Sequence, residues 1–259
     1  MNCVTLEEKA ILAEKTAREA GEMLLKNRVF SVRRKAAHDF VTEMDVKSEI
    51  LIRERLLSAC PEDAFFGEEG GGSNKAKGRW IVDPIDGTTN FIKDIPLYTV
   101  SIAYEQDGKL AIGCVYAPGL DEMYLAVRGK GATRNGEKIA VSDVSDPEEA
   151  VFGMSFAHRL QGSHNEMIGV LDRICGRVND LRRLGSAAFD LCCVACGRTE
   201  GFFELGLHLY DIAAGVVILE EAGGVVTGWS DAEDVLETGN VCATNGRVQA
   251  FLKGVLNER

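Results

Sequence analysis

The stretch Trp80–Ile92, WIVDPIDGTTNFI, constrains the fold of this chain more than any other, because an apolar run meets a proline and two carboxylates follow three residues apart. RWIVD has the pattern of a buried strand. Pro84 has no N–H to give to a ladder, so regular pairing ends there and Asp83 is expected where a sheet stops. Open sheets place their binding crevices at such strand ends. Gly87 permits a positive φ, and Thr88 or Thr89 predicts an N-cap for a short helix from Asn90, whose N–H groups would favour an anion. Asp83 and Asp86 can converge on one point, where their mutual repulsion calls for a cation between them. A hard ion such as Mg²⁺ takes carboxylate, carbonyl and water oxygens, and the Ile85 carbonyl is a further donor. The alternative for the same residues is a plain type I turn with an aspartate cap.

Three other acidic stretches bear on this. FFGEEGGGSN puts Glu68 and Glu69 after a strand-like run. They are either a solvated acidic loop or, since this strand ends just upstream of WIVD, neighbours of Asp83. The glycines at 70–72 and the polar run to Gly78 predict a mobile loop beside Glu68 that orders with metal. LYDIAAG sets Asp211 at the start of an apolar helix, as an ordinary N-cap or as a fourth acid of a site. VTEMD places Asp45 four residues before Glu49 on a helix, by default on a solvated face.

Around these stretches the pattern predicts helices at 5–28 and 42–59, with an extended or loop piece between them. Short β-like runs follow to about residue 141, joined through QDGK and RNGEK as hairpins of an antiparallel sheet. After a polar joint at 142–149, strands near 151–155, 178–183, 201–205 and 241–244 alternate with helices at 164–175, 186–196, 211–222 and 247–256. That order favours a layered α/β half. The expected division is 1–146 and 147–259, packed as one catalytic unit.

With 46% hydrophobic and 27% charged residues and only 5 Pro, the chain has a globular composition, not a disordered or fibrous one. A net charge of −11 opposes attraction to nucleic acid or an anionic membrane, and an anionic substrate would need a cation to reverse the local sign. Acids and bases thread the N-terminal apolar positions, which fits neither a signal peptide nor a membrane span and leads to an expected cytoplasmic location. The eight cysteines are scattered, and Cys193 and Cys196, though a C-x-x-C, lie in a helix without a second ligand pair, which favours core packing over metal or redox chemistry. His38, His158, His164 and His208 have no metal-ligand spacing, and His208, three before Asp211, is expected to be structural.

GEEGG, WIVDPIDGTTNFI and GLHLYDIAAGVVILEEAGG, in this order and at these separations, resemble the inositol monophosphatase family of Mg²⁺-dependent, lithium-sensitive phosphatases, from VTEMD to CATNG. TNF after DPIDGT, and FFELGLHLYD, are more similar to inositol monophosphatases than to fructose-1,6-bisphosphatases, nucleotide 3′-phosphatases or histidinol-phosphate phosphatases. Tyr210 stands where many members have Trp. Lys35 is near a family lysine, but its spacing leaves it outside the expected site.

The resemblance implies an αβαβα five-layer sandwich, two to three Mg²⁺ ions, a small phosphate monoester as substrate and a homodimer. It implies Glu68, Asp83 and the Ile85 carbonyl as ligands of one ion, and Asp83, Asp86 and Asp211 as ligands of a second. Thr88, held by Asp45, would orient and deprotonate the attacking water, with Gly87 and Thr88 at the phosphate. Gly185, Ser186, Ala187 and Glu204, with Asp86, would meet the sugar-alcohol hydroxyls. Three functions remain open at this point: an inositol monophosphatase, the same chemistry on fructose-1,6-bisphosphate or another small phosphate, and a metal-binding relative acting as a regulatory or RNA-associated partner.

Overall fold

A computed structural model describes residues 4–36, 39–72, 76–156 and 163–258 of the chain. Helix α1 (Leu6–Lys26) starts at a reciprocal cap, in which Thr5 accepts from the Glu8 N–H and donates its own N–H to the Glu8 carboxylate. The segment expected as extended or loop is a ribbon of β1 (Val32–Ala36) and β2 (Asp39–Thr42). Thr42 then caps α2 (Glu43–Ala59) in a second reciprocal box with Asp45.

The large sheet is built from β3 (Ala64–Gly67), β4 (Gly71–Gly72), β5 (Gly78–Asp86), β6 (Thr99–Gln106), β7 (Lys109–Ala117), β8 (Glu122–Val127), β9 (Ala132–Arg134) and β10 (Glu137–Ile139), with the short helix α3 (Thr88–Ile92) after β5. Its order among the described residues is β10-β9-β8-β7-β6-β5-β3-β4. The hairpin turns fall at Asp107–Gly108 and Asn135–Gly136, each with two positive φ angles. One pairing departs from the antiparallel sheet expected: β3 runs parallel to β5, with Gly67 opposite Val82. The chain turns back through β4 before starting β5, so the two neighbours end at the same edge. That puts Glu68 beside Asp83.

Beyond a turn at Pro147–Glu149 come β11 (Val151–Met154), α4 (Ser163–Ile174), β12 (Asp180–Arg182), α5 (Ala187–Ala195), β13 (Gly201–Glu204), α6 (Leu209–Glu221), β14 (Val225–Thr227), α7 (Val235–Thr238), β15 (Val241–Thr244) and α8 (Gln249–Asn257). Their sheet has the order β12-β11-β13-β15-β14, parallel over its first three strands and antiparallel over the last two pairings. No helix among the described residues is long and apolar enough to cross a membrane.

Three apolar clusters separate five layers. Trp80, Val82, Ile102 and Ile112 meet Ala13, Ala17, Leu24 and Ile52 of α1 and α2. Ile81, Ala103 and Val115, on the opposite face of the large sheet, meet α5, α6 and the inner face of the smaller sheet. Phe152, Phe203 and Cys242 pack outward under α4 and α8. Since side chains alternate along a strand, Asp83 shares the Ile81 face, toward α6. Ser101, opposite Asp83, donates to the Tyr210 carbonyl at 3.4 Å, which places the start of α6 over that point.

A row of small residues, Ala103, Gly113 and Ala126, lies across β6, β7 and β8 and lets α6 settle close. A Cβ at Gly113 would stand 2.2 Å from the Ala214 carbonyl oxygen. Gly113→Val is therefore expected to destabilise the protein by about 3 kcal/mol through overpacking. The melting temperature would fall on the order of 10 °C, and a thermal scan that leaves it unchanged would show that the helix can shift.

Candidate active site

The acids assemble because three elements end at one rim. β5 delivers Asp83, Pro84 interrupts the ladder, and the Ile85 N–H folds back to donate to Asp83 Oδ1 at 3.0 Å. The Ser48 hydroxyl of α2 donates to the Pro84 carbonyl at 3.3 Å and pins the turn from behind. Asp86 follows a break in register and is held across the sheet-to-helix boundary, where its Oδ2 accepts from the Ser186 hydroxyl and the Ala188 N–H, both at 2.7 Å. Asp211 comes from the first turn of α6, its Oδ2 accepting from the His208 N–H at 2.6 Å. Asp83, Asp86 and Asp211, all buried, thereby offer carboxylate oxygens within 4.8 Å of one another.

These residues line an open cleft of about 200 Å³ together with Glu68, Ile85, Gly87, Thr88, Gly185, Ser186, Ala187 and Glu204. Asp45 is behind this wall, 1% exposed, and accepts from the Thr88 hydroxyl at 3.2 Å, the same hydroxyl lying 3.1 Å from the Ile85 carbonyl. The other oxygen of Asp45 accepts from the Thr42 N–H and hydroxyl at 2.7 and 2.6 Å.

Several local expectations are corrected. The cap of α3 is Gly87, at φ 93°, and not Thr88 or Thr89; a Cβ there would lie 3.0 Å from the Gly185 carbonyl oxygen. Asp211 is the third residue of α6 and His208 is the cap, so its carboxylate faces the rim while holding the cap amide. Asp45 and Glu49 are buried, not solvated, because α2 lies with this face on the β3–β5 edge. The Ser186 hydroxyl is committed to Asp86 and, as acceptor, to the Phe189 N–H at 3.3 Å. Cys193 is buried and Cys196 half-buried, both free thiols, as core packing predicts. His38, His158 and the Lys35 side chain lie outside the described residues.

Glu49 is the residue the sequence concealed most. Its carboxylate accepts from the Glu69 and Gly70 N–H groups, each at 2.8 Å, while Arg53 reaches both Glu49 and the Gly71 carbonyl. Gly67 and Gly70 leave no room for a Cβ against this carboxylate, at 2.3 and 2.6 Å. The expected mobile loop is, over its described part, a folded turn with β4 paired back onto β3; residues 73–75 lie outside the described residues. The signal available was the spacing Asp45-x-x-x-Glu49, which puts both acids on one helical face. Glu49→Gln turns an amide against one of the two N–H donors. We expect the Mg²⁺ concentration for half-maximal activity to rise about 10–100-fold, the range for groups supporting metal ligands. A Mg²⁺ titration by calorimetry checks this, and parent-like affinity would leave Glu49 with a folding role only.

The electrostatics of the rim call for a cation. Burial, then Glu68, Asp86, Asp211 and Asp45, push the Asp83 carboxyl well above the usual range. Asp86 is pushed up to about 7 by burial and Asp211, against the hydrogen bonds from Ser186 and Ala188. Asp45 is raised by burial, partly offset by Thr42. A divalent hard ion is the partner that carboxylate and carbonyl oxygens at this separation fit, with no thiolate or imidazole in the set to favour zinc.

The profile of the inositol monophosphatase family matches residues 5–258. Inositol-1-monophosphatase of Mesorhizobium japonicum is 42% identical over 224 residues, 85% of this chain and 84% of that protein. Nus factor SuhB of Vibrio cholerae is 38% identical over 252 residues, 94% of each chain. Among solved structures, the extragenic suppressor protein suhB from Bartonella henselae superposes with a TM-score of 0.93 at 35% identity, covering 96% of this chain and 98% of that one. With the match running nearly end to end and the acids converging at one buried rim, the chain belongs to the inositol monophosphatase family.

Proposed function

We propose that this protein is a Mg²⁺-dependent phosphomonoesterase that hydrolyses inositol monophosphate by direct attack of water, without a covalent enzyme intermediate. The observation that carries the reading is the buried convergence of Asp83, Asp86 and Asp211 beside Glu68 at one strand edge. Glu68, Asp83 and the Ile85 carbonyl would hold one ion, and Asp83, Asp86 and Asp211 a second, with Glu68 also able to reach a third. When bound, Mg²⁺ offsets the charge of the phosphate dianion, makes water a better nucleophile and stabilises the leaving oxygen.

The protein's own groups do the rest. Thr88 donates to Asp45, so its hydroxyl can take a proton from the attacking water while passing its own proton to the Asp45 carboxylate behind it. Asp86 is fixed by α5, so a substrate meets an acid that does not rotate. Gly87 and Thr88 stand at the phosphate. Gly185, Ala187 and Glu204 line the leaving-group side, Glu204 accepting hydrogen bonds from ring hydroxyls.

A second reading is favoured by one finding: relatives of similar identity divide between the names Inositol-1-monophosphatase and Nus factor SuhB. A protein that works only as a partner has no use for the acid rim in turnover. Phosphate release from myo-inositol 1-phosphate, fructose-1,6-bisphosphate, 3′-phosphoadenosine 5′-phosphate and histidinol phosphate, at millimolar Mg²⁺, separates the readings. Preference for the inositol ester, lost in EDTA and in Asp83→Asn, is the expected result. Preference for another ester replaces the substrate, and no metal-dependent release from any of them sinks the enzyme.

A further inference from the structure

The leaving-group side of the cleft holds a carboxylate that neither the fold nor the metal rim uses. Asp190, in the first turn of α5, lines the cleft and is 2% exposed. Its Oδ1 is sealed from solvent and has no hydrogen-bond partner among the described residues. The fold nevertheless keeps a place for it, since a Cβ at Gly153 of β11 would come within 2.5 Å of Oδ1. With Oδ1 closed off by β11, Oδ2 is the oxygen that a bound molecule can meet. Burial pushes the carboxyl well above its ordinary range, Glu204 and Asp86 push it further, and the opposing cation is the exposed guanidinium of Arg183.

A buried acid without donors is costly, and natural cores rarely retain one without a use. Placement near a helix N-terminus favours the charge but supplies no hydrogen bond to it here. Glu204, on the neighbouring strand β13, lines the same side of the cleft and is pushed up to about 8 by burial and by Asp211 and Asp86, with Arg183 opposing. On this wall the two carboxylates are acceptors, Glu204 with a hydrogen bond from Ser155 and Asp190 with none at Oδ1, and the Arg183 guanidinium is a donor. The matching ligand chemistry is a polyhydroxylated leaving group, whose hydroxyls can donate to both acids.

We propose that Asp190 is a specificity-determining residue that accepts a hydrogen bond from a hydroxyl of the leaving group and so, with Glu204, selects polyol phosphates over esters that lack hydroxyls. The inference rests on the phosphomonoesterase reading above and goes beyond it by assigning a second acceptor on the wall away from the metals. Its chemical consequence is selectivity, with the water-activating groups left in place.

The test is the ratio of kcat/KM for myo-inositol 1-phosphate and for glycerol 2-phosphate to that for phenyl phosphate, in the full-length protein with saturating Mg²⁺. Asp190→Asn keeps the shape and loses acceptor strength. Asp190→Ser, smaller, guards against an amide that finds a new partner. Both ratios are expected to fall about tenfold in each variant, mainly through KM, with melting temperature and Mg²⁺ affinity by calorimetry at or above the parent values. Ratios within twofold of the parent in both variants, whatever the change in absolute rates, overturn the assignment and leave Asp190 as a packing residue. A parent that releases phosphate no faster from hydroxylated esters than from phenyl phosphate overturns the polyol reading and this one together.

Discussion

Asp83→Asn is expected to lower kcat/KM by at least about 10³-fold, which is on the order of 4 kcal/mol of transition-state stabilisation, and yet to raise the melting temperature of the metal-free protein. The two signs have one cause. Asp83 feels the charges of Glu68, Asp86 and Asp211 and offers an oxygen within 4.8 Å of the last two, so a cation held by these three acids is expected to contact it. The same position pushes its carboxyl well above the ordinary range when no cation is present, through burial and the neighbouring acids. Asparagine fits the space and its side-chain oxygen still accepts the Ile85 N–H, so the turn is kept while the cost of burying an acid that must either take up a proton or carry its charge beside the others is removed. Relief of about 1–2 kcal/mol would raise the melting point by a few degrees in a chain of this size. Loss of activity together with a lower melting temperature would assign Asp83 to the fold, and retention of a tenth or more of the activity would remove it from the site.

The second large effect is a stability that falls with pH in EDTA and recovers with Mg²⁺. Unfolded carboxylates ionise near their ordinary values of 3.8 and 4.5, while folded Asp86 and Glu204 hold protons up to about 7 and about 8, and Asp83 is shifted the same way. Between about pH 4 and pH 7 to 8 the folded state therefore binds more protons than the unfolded one. Stability must fall as pH rises through that window, by roughly 1.4 kcal/mol per unit for each group that remains protonated only when folded. From pH 5 to pH 8 we expect the melting temperature in EDTA to drop on the order of 10 °C. Mg²⁺ binds the ionised acids, so the stabilisation it gives should be small at pH 5 and largest at pH 8. A melting temperature that is flat or rising with pH in EDTA would mean that the rim is already neutralised from within the protein.

The parts of this fold that were legible in the sequence are those fixed by neighbours in the chain. The helix starts at Thr5 and Thr42, the turns at Asp107–Gly108 and Asn135–Gly136, and the end of regular pairing at Pro84 are local events, and each lies where the residue types put it. The motif stretches also led to the acids of the rim, but through their resemblance to a family: by residue type alone Asp83 and Asp86 could equally close a plain turn, and Asp211 could be an ordinary helix cap. What stayed hidden depends on contacts between distant segments. That β3 runs parallel to β5 cannot be read from FFGEEGGG. The burial of Glu49 follows only from α2 lying across that edge, and the commitment of the Ser186 hydroxyl only from α5 meeting β5. Asp190 was passed over for a similar reason: in AAFDLCC it is one polar residue on an apolar helix, and its want of a donor appears only when β11 closes over it.

The large sheet is covered on one face by α1 and α2 and on the other by α5 and α6, which are made much later. On the ribosome the order of synthesis then matters. At roughly 5–20 residues per second, several seconds separate the last strands of that sheet from the helix that seals it. During that interval the Ile81, Ala103 and Val115 face has no lid and invites association with other chains. Asp83 and Asp86 stand at the rim of the same face, wet and therefore ionised before α6 arrives. Carboxylates that burden the finished protein without its cation would thus help to keep the nascent one apart from its neighbours.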